Sequence, residues 1–234
     1  MILSVDSLSI GYPGSGIPVC SGVSFDIPEG ECILLCGANG SGKSTLMKTI
    51  AGILPPLSGK VNRFSGESVM IPTRIPKVKG FTLEEFMRTG FYRKSSWSGR
   101  LGNREKENIL LSAEEIGITG LLPRDISTLS DGEFQKGCIA SALARMKGEG
   151  GLLLLDEPTA FLDVDSRASV LESLRRLSMA EGLSVLYSSH DIHDAAKVSD
   201  RIFALKDGAF KDSALQENSP KGTLAWAFSS LGLE

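Results

Sequence analysis

The sequence predicts an α/β fold: a mostly parallel sheet with helices on both faces, an antiparallel β element at its N-terminal side, and a helical insertion over residues 73–135. Three observations predict it. Fully apolar runs of strand length, Cys32-Ile33-Leu34-Leu35-Cys36 and Leu152-Leu153-Leu154-Leu155, alternate with helical stretches. Strands without a polar face belong in a parallel sheet covered on both sides. A glycine-rich loop starting at Gly37 joins the first of these runs to a helix, and from about Pro72 to Ser127 the strand pattern gives way to helical periodicity before returning. At 234 residues the chain is read as one domain, 1–234, with the insertion inside it.

The elements follow in order. Ile2–Val5, Leu8–Ile10, Val23–Ile27 and Glu31–Cys36 are short apolar or alternating runs, parted by turns such as Tyr12-Pro13-Gly14-Ser15-Gly16 and Pro28-Glu29-Gly30. Ser44–Ala51 reads as a helix that Leu54-Pro55-Pro56 stops. Ser68–Ile71 is a further strand. Phe81–Arg88 and Glu105–Ile116 carry helical periodicity, with a polar loop at Arg93–Asn103 between them. A helix over Gly132–Met146, the strand Leu152–Leu155, an amphipathic helix over Asp165–Ala180 and the strand Ser184–Tyr187 come next. A short helix begins at Asp191, Ile202–Leu205 runs into the turn Lys206-Asp207-Gly208, and the last twenty residues look partly helical.

Composition removes several function classes. The formal net charge is −3 with Lys and Arg spread out, so no electrostatic footprint of nucleic-acid binding is present. No apolar run reaches the roughly 18 residues of a membrane span, and Met1–Asp6 has neither a basic nor a secretory segment. A cytosolic chain is expected, acting at a membrane only through a partner. The cysteines at 20, 32, 36 and 138 form no C-x-x-C pair, which speaks against a zinc site or a disulfide framework.

Residues 37–45 read Gly-Ala-Asn-Gly-Ser-Gly-Lys-Ser-Thr and fit G-x-x-x-x-G-K-[ST], the phosphate-binding loop of P-loop NTPases. Glycines let the backbone curl so that its N–H groups face phosphate oxygens, and the helix N-terminus adds partial positive charge. The nucleotide-binding candidates are therefore Gly37, Asn39, Gly40, Ser41, Gly42, Lys43, Ser44 and Thr45. Lys43 can reach the β- and γ-phosphates and Ser44 can ligate Mg²⁺. Leu152–Leu155 ends in Asp156 and Glu157. Behind a phosphate loop, Asp156 can hold the Mg²⁺ environment and Glu157 can act as general base toward a water. Leu129-Ser130-Asp131-Gly132-Glu133 opens a helix. Read alone, Ser130 is an N-cap completed by Glu133; with Gly132 it also forms a second anion-binding helix end.

Taken together the series resembles the nucleotide-binding subunits of ABC transporters, over nearly the whole chain. Gly37–Thr45 looks like their Walker A loop, and Leu152–Glu157 like Walker B with its catalytic glutamate. Leu129–Glu133 is similar to the LSGGQ signature, with acids in the third and fifth places. Ala160–Asp163 sits where the D-loop belongs, Ser188-Ser189-His190 matches the switch histidine, and Tyr12 occupies the place of the adenine-stacking aromatic. The resemblance implies two such domains paired head-to-tail, a homodimer by preference, with ATP between Walker A of one and Ser130/Gly132 of the other. It implies that His190 and Glu157 position the attacking water, with Lys43 stabilising charge, and that Asp163 crosses the interface. His193 gets no role beyond a solvated surface position.

One position departs from the family. The strand ending at Ile71-Pro72 should lead to the glutamine that ligates Mg²⁺ and links the site to the permease, and here it leads to Thr73. A threonine hydroxyl is shorter and would serve the metal directly or through water. Glu157, His190, Lys43 and Ser44 imply that hydrolysis survives. Phe81–Phe86, Gly90-Phe91-Tyr92-Arg93 and Trp97 are similar to the insertion of importers for iron–siderophores, haem and cobalamin. The implied function is the ATP-hydrolysing motor of such an importer, at the cytoplasmic face of the membrane. Its partners would be an integral membrane permease and an extracytoplasmic substrate-binding protein acting with it, with no nucleic acid involved. A soluble ABC ATPase, such as an iron–sulfur cluster assembly subunit, and an ATP-binding regulatory protein with weak turnover stay open beside it.

Overall fold

The computed structural model describes residues 1–91, 102–189, 191–213 and 220–232. In chain order the elements are β1 (Leu3–Ile10), β2 (Cys20–Ile27), β3 (Cys32–Gly37), α1 (Lys43–Ile50), β4 (Ser58–Arg63), β5 (Glu67–Ile71), α2 (Leu83–Thr89) and α3 (Asn103–Glu115). They continue with α4 (Asp131–Met146), β6 (Gly151–Leu155), α5 (Val164–Glu181), β7 (Leu183–Ser188), α6 (Ile192–Lys197), β8 (Arg201–Lys206), β9 (Ala209–Asp212) and α7 (Pro220–Leu231).

A six-stranded sheet in the order β5-β6-β7-β3-β8-β9 forms the centre, parallel except for the β8–β9 hairpin. Because successive strand residues face opposite sides, its apolar runs feed two separate cores. Cys32, Leu34 and Cys36 of β3, with Leu153, Leu155, Val185 and Tyr187, join the core that also holds Leu83, Ile109, Phe134, Cys138 and Leu174 of the helices. Ile33 and Leu35, with Leu152, Leu154 and Leu186, face the other way, against Leu46, Met47 and Ile50 of α1 and the apolar side of a three-stranded antiparallel sheet, β2-β1-β4. The absence of a polar face in β3, β6 and β7 is thus explained by burial on both sides.

The structure departs from the sequence expectation at identifiable places. The two runs at Ile2–Val5 and Leu8–Ile10 form one strand, because the interruption at Ser7, φ +47°, is a local irregularity that shifts the register without ending the pairing. β4 was not foreseen: Ser58–Arg63 is exposed apart from a half-buried Val61, and an edge strand with little apolar content leaves no periodic signal. β9 was missed too. Asp207 and Gly208, at φ +50° and +75°, turn the chain back so that Ala209–Asp212 pairs with Phe203–Lys206.

Helices α2, α3 and α4 fall between β5 and β6. Both α2 and α4 open on complete capping boxes, Thr82 with Glu85 and Ser130 with Glu133. Of the loop expected at Arg93–Asn103, Asn103 already belongs to α3, while residues 93–101, together with Tyr92, lie outside the described residues. No helix among the described residues is long and apolar enough to cross a membrane.

Candidate active site

The loop between β3 and α1 is shaped by what its glycines exclude. At Gly42, φ +106°, a Cβ would stand 2.6 Å from Val19 Cγ1. At Gly37 it would stand 2.5 Å from Ser41 Oγ and 2.6 Å from the Leu205 carbonyl oxygen. Gly40, φ +80°, faces open space, and Ala38, Asn39 and Gly40 are exposed at the rim. Beneath the rim, Ser41 Oγ is buried with no hydrogen-bond partner among the described residues, an orphaned donor in a cradle of backbone N–H groups. Lys43 is buried at the start of α1, and its Nζ donates to the carbonyls of Gly37 at 2.7 Å and Ala38 at 3.1 Å. Burial pushes its ammonium below the ordinary lysine value, while the carboxylates of Glu157 and Asp156 pull the other way. Ser44 is half-buried and Thr45 buried in the first turn of the helix. The Cys36 thiol, two residues before Ala38, is pushed up to about 12 by burial and is inert at neutral pH.

Asp156 and Glu157 leave the end of β6 beside this loop. The Asp156 N–H donates to the Ile71 carbonyl at 2.9 Å, so the acid pair and the segment carrying Thr73 emerge from adjacent strand ends. Thr73 is half-buried. In the parallel pairing of β6 with β7, Leu155 lies beside Tyr187, which brings Ser188 next to Asp156. The Ser188 hydroxyl donates to Asp156 Oδ1 at 2.9 Å and accepts from the Glu157 N–H at 2.9 Å. Glu157 itself has φ +52° although proline follows it. Next to Glu157 opens a cleft of about 600 Å³ lined by Thr159, Arg167, Ser189, Asp191 and Phe228 among others.

These groups suit a nucleotide triphosphate and a hard cation. Mg²⁺ keeps several water and phosphate ligands and takes only one or two from protein. Ser44 and the oriented Asp156 carboxylate can supply those, with Thr73 on the neighbouring strand end.

Ser130 caps α4, accepting from the Glu133 N–H at 3.1 Å. No hydrogen bond among the described residues joins Ser130 or Gly132 to the phosphate loop of the same chain. Gly132 instead packs on the D-loop, where a Cβ would stand 2.7 Å from the Phe161 carbonyl oxygen. Asp163 caps α5, its Oδ1 accepting from the Ser166 N–H at 2.8 Å. Tyr12, on the β1–β2 connection, is 53% exposed. His190 lies outside the described residues, and His193 is exposed beside Asp194.

The sequence pattern of the ABC transporter family matches residues 20–160, a span that takes in the phosphate loop, the signature segment and the acid pair. The chain belongs to that family. This ABC chain is 34% identical over 219 residues to an uncharacterized ABC transporter ATP-binding protein of Methanocaldococcus jannaschii, spanning 88% of itself and 73% of the relative. It is 33% identical over 232 residues to the iron(3+)-hydroxamate import ATP-binding protein of Bacillus subtilis, spanning 93% of itself and 84% of the relative. Its fold matches a metal-chelate type ABC transporter solved in an inward-facing conformation, with a TM-score of 0.84 at 24% identity over 99% of this chain and 88% of the other. As a member of this family the ABC chain is an ATPase.

Three residues of the ABC chain carry no role in the sequence reading yet stand in this region. Ser188 is one; its signal was a small polar residue at the end of a mostly apolar strand. The others answer the two acids of the signature segment. Lys77 Nζ donates to Asp131 Oδ1 at 2.7 Å and to the Leu129 carbonyl at 2.8 Å, and Arg124 Nη1 pairs with Glu133 at 3.3 Å. Lys77 reaches the segment across 54 residues of chain, Arg124 across nine, and no sequence pattern marks either cation.

Proposed function

We propose that the chain is the ATP-hydrolysing motor subunit of an importer for a metal chelate, of the iron–siderophore, haem or cobalamin kind. The observation that carries the ATPase chemistry is the placement of Asp156 and Glu157, at one strand end, where their charge acts on the buried Lys43 at the base of the phosphate loop. Likeness to an iron(3+)-hydroxamate import protein supports the chelate class.

In this reading Lys43 exchanges the Gly37 and Ala38 carbonyls for phosphate oxygens, and the loop N–H groups of Asn39 to Thr45 hold the remaining ones. Ser44 and Asp156, with Thr73 reaching directly or through water, would hold Mg²⁺, whose charge would offset that of the β- and γ-phosphates. Glu157 takes the proton of the attacking water and His190 helps place that water. Tyr12 offers an open ring face to the adenine. The α4 N-terminus, with Ser130 and Gly132, meets the nucleotide of a second copy, a pairing that the family resemblance supports, and Asp163 faces the same interface. The homodimer works at the cytoplasmic face of the membrane on an integral permease, which an extracytoplasmic binding protein supplies.

The test is capture. Glu157→Gln should lower turnover by about 10²–10⁴-fold while ATP still binds, holding the closed dimer. Tagged and loaded with ATP in detergent-solubilised cells, this form should bring down a multi-span membrane protein. A soluble scaffold with no membrane protein would overturn the importer reading and favour a soluble assembly ATPase. Undiminished turnover of Glu157→Gln would remove Glu157 as the base.

A further inference from the structure

Glu157 stands in the left-handed region at φ +52°. Two penalties meet there. A residue with a Cβ enters this region only at an energetic cost, and the proline that follows, Pro158, steers the preceding residue toward extended backbone. Such a conformation persists only where its surroundings over-determine it. The surroundings here include a specific device. Ser188, fully buried at the end of β7, accepts from the Glu157 N–H and donates to Asp156 Oδ1, both at 2.9 Å. Its own position is fixed from both sides, since β7 pairs with β6 through Tyr187 beside Leu155 and with β3 through Ser188 beside Leu35. The hydroxyl is therefore held by the rigid centre of the sheet and sets two consecutive residues at once.

We propose that Ser188 is a positioning residue for ATP hydrolysis, its single hydroxyl fixing the Asp156 carboxylate and the left-handed backbone of Glu157 together. The bond to Asp156 uses one carboxylate oxygen and leaves the other for the cation. The bond to the Glu157 N–H holds the turn that carries the glutamate side chain out of the sheet. Hydroxyl chemistry is required, because one atom must donate to a carboxylate and accept from an amide. The inference rests on the reading of Asp156 and Glu157 as the acid pair of the ATP site.

Replacing Ser188 by Thr and by Val tests it, because the two differ by a hydroxyl against a methyl at nearly equal shape. Both are β-formers suited to a strand. In the full chain, Ser188→Thr should keep turnover near the wild-type value. Ser188→Val should lose about tenfold or more in kcat, as displaced catalytic groups do. Its affinity for ADP measured without Mg²⁺ should stay within about twofold, since the phosphate loop is untouched, and it should need more Mg²⁺ for half-maximal rate. Equal turnover of the Thr and Val forms, at whatever level, would overturn the proposal, because volume and not the hydroxyl would then matter. Glu157→Gln run in parallel separates the two levels. If it keeps full turnover, the reading of the acid pair fails. If it is inactive while the Thr and Val forms turn over alike, only the role of Ser188 falls.

Discussion

A methyl group added at position 42 would collide with Val19, on the strand side of the phosphate loop, and would also have to sit at φ +106°. Gly42→Ala is therefore expected to lower stability by about 1–3 kcal/mol and to weaken ATP binding, since relief of the contact moves the N-terminus of α1. Chemical denaturation and titration with a fluorescent ATP analogue check the two effects, and an alanine form with unchanged affinity would contradict this account of the loop. Gly40, whose Cβ would meet nothing, supplies the contrast: Gly40→Ala should cost backbone strain without a clash. Lys43 illustrates a different residue-scale balance. Burial works against its charge and the two acids Glu157 and Asp156 work for it, so Lys43→Met should fold while losing its hold on the phosphates. Wild-type ATP affinity in that form would remove the lysine from the site.

Helix starts dominate the element scale. Four carboxyls around α2 and α4 lie below their ordinary values: Glu85 through the Thr82 N–H, Asp125 through Ser127, Asp131 through Lys77 and Glu133 through the Ser130 N–H. A carboxyl depressed in the folded state binds fewer protons there than in the unfolded chain. Its contribution is present above the ordinary values, 3.8 for Asp and 4.5 for Glu, and is lost as pH falls through the folded-state values. The melting temperature should therefore hold from about pH 7 to about pH 5 and drop below about pH 4. Amides of α2 and α4 should then exchange earlier than those of β3, β6 and β7. Uniform exchange across the chain in acid would contradict this. The caps were legible as sequence, Ser130 with Glu133 in particular, whereas Lys77 and Arg124 were not: Lys77 reaches the signature segment from a distant part of the chain, and Arg124 reaches it only through the fold of the turns just before it. Edge strands were illegible for another reason. β4 buries almost nothing and β9 is four residues long, so neither writes a period into the sequence.

At the scale of the whole molecule, the two sheets are tied at one corner by Arg201. Its guanidinium pairs with Asp212 of β9, with an Nε–Oδ1 distance of 2.8 Å, and also donates to Glu31 at 3.3 Å and to the Asp26 carbonyl at 2.8 Å. The Asp212 side chain is 2% exposed. Removing one partner of a buried pair leaves the other charge unsatisfied, so Asp212→Ala should cost about 3 kcal/mol, toward the low end because Glu31 and Asp26 still receive the arginine. A urea midpoint unchanged from wild type would contradict it. The sequence by itself determined the α/β class, the parallel sheet and the phosphate loop, because strands buried on both faces must be apolar throughout and a loop that wraps phosphate needs glycines at set places. It also placed Asp156 and Glu157 at a strand end. The tertiary structure alone decided that these acids come within electrostatic reach of Lys43, that Ser188 joins them, and that Gly132 packs against the Phe161 carbonyl. Those are relations between segments far apart in the chain, set by strand order and register, which no local pattern encodes.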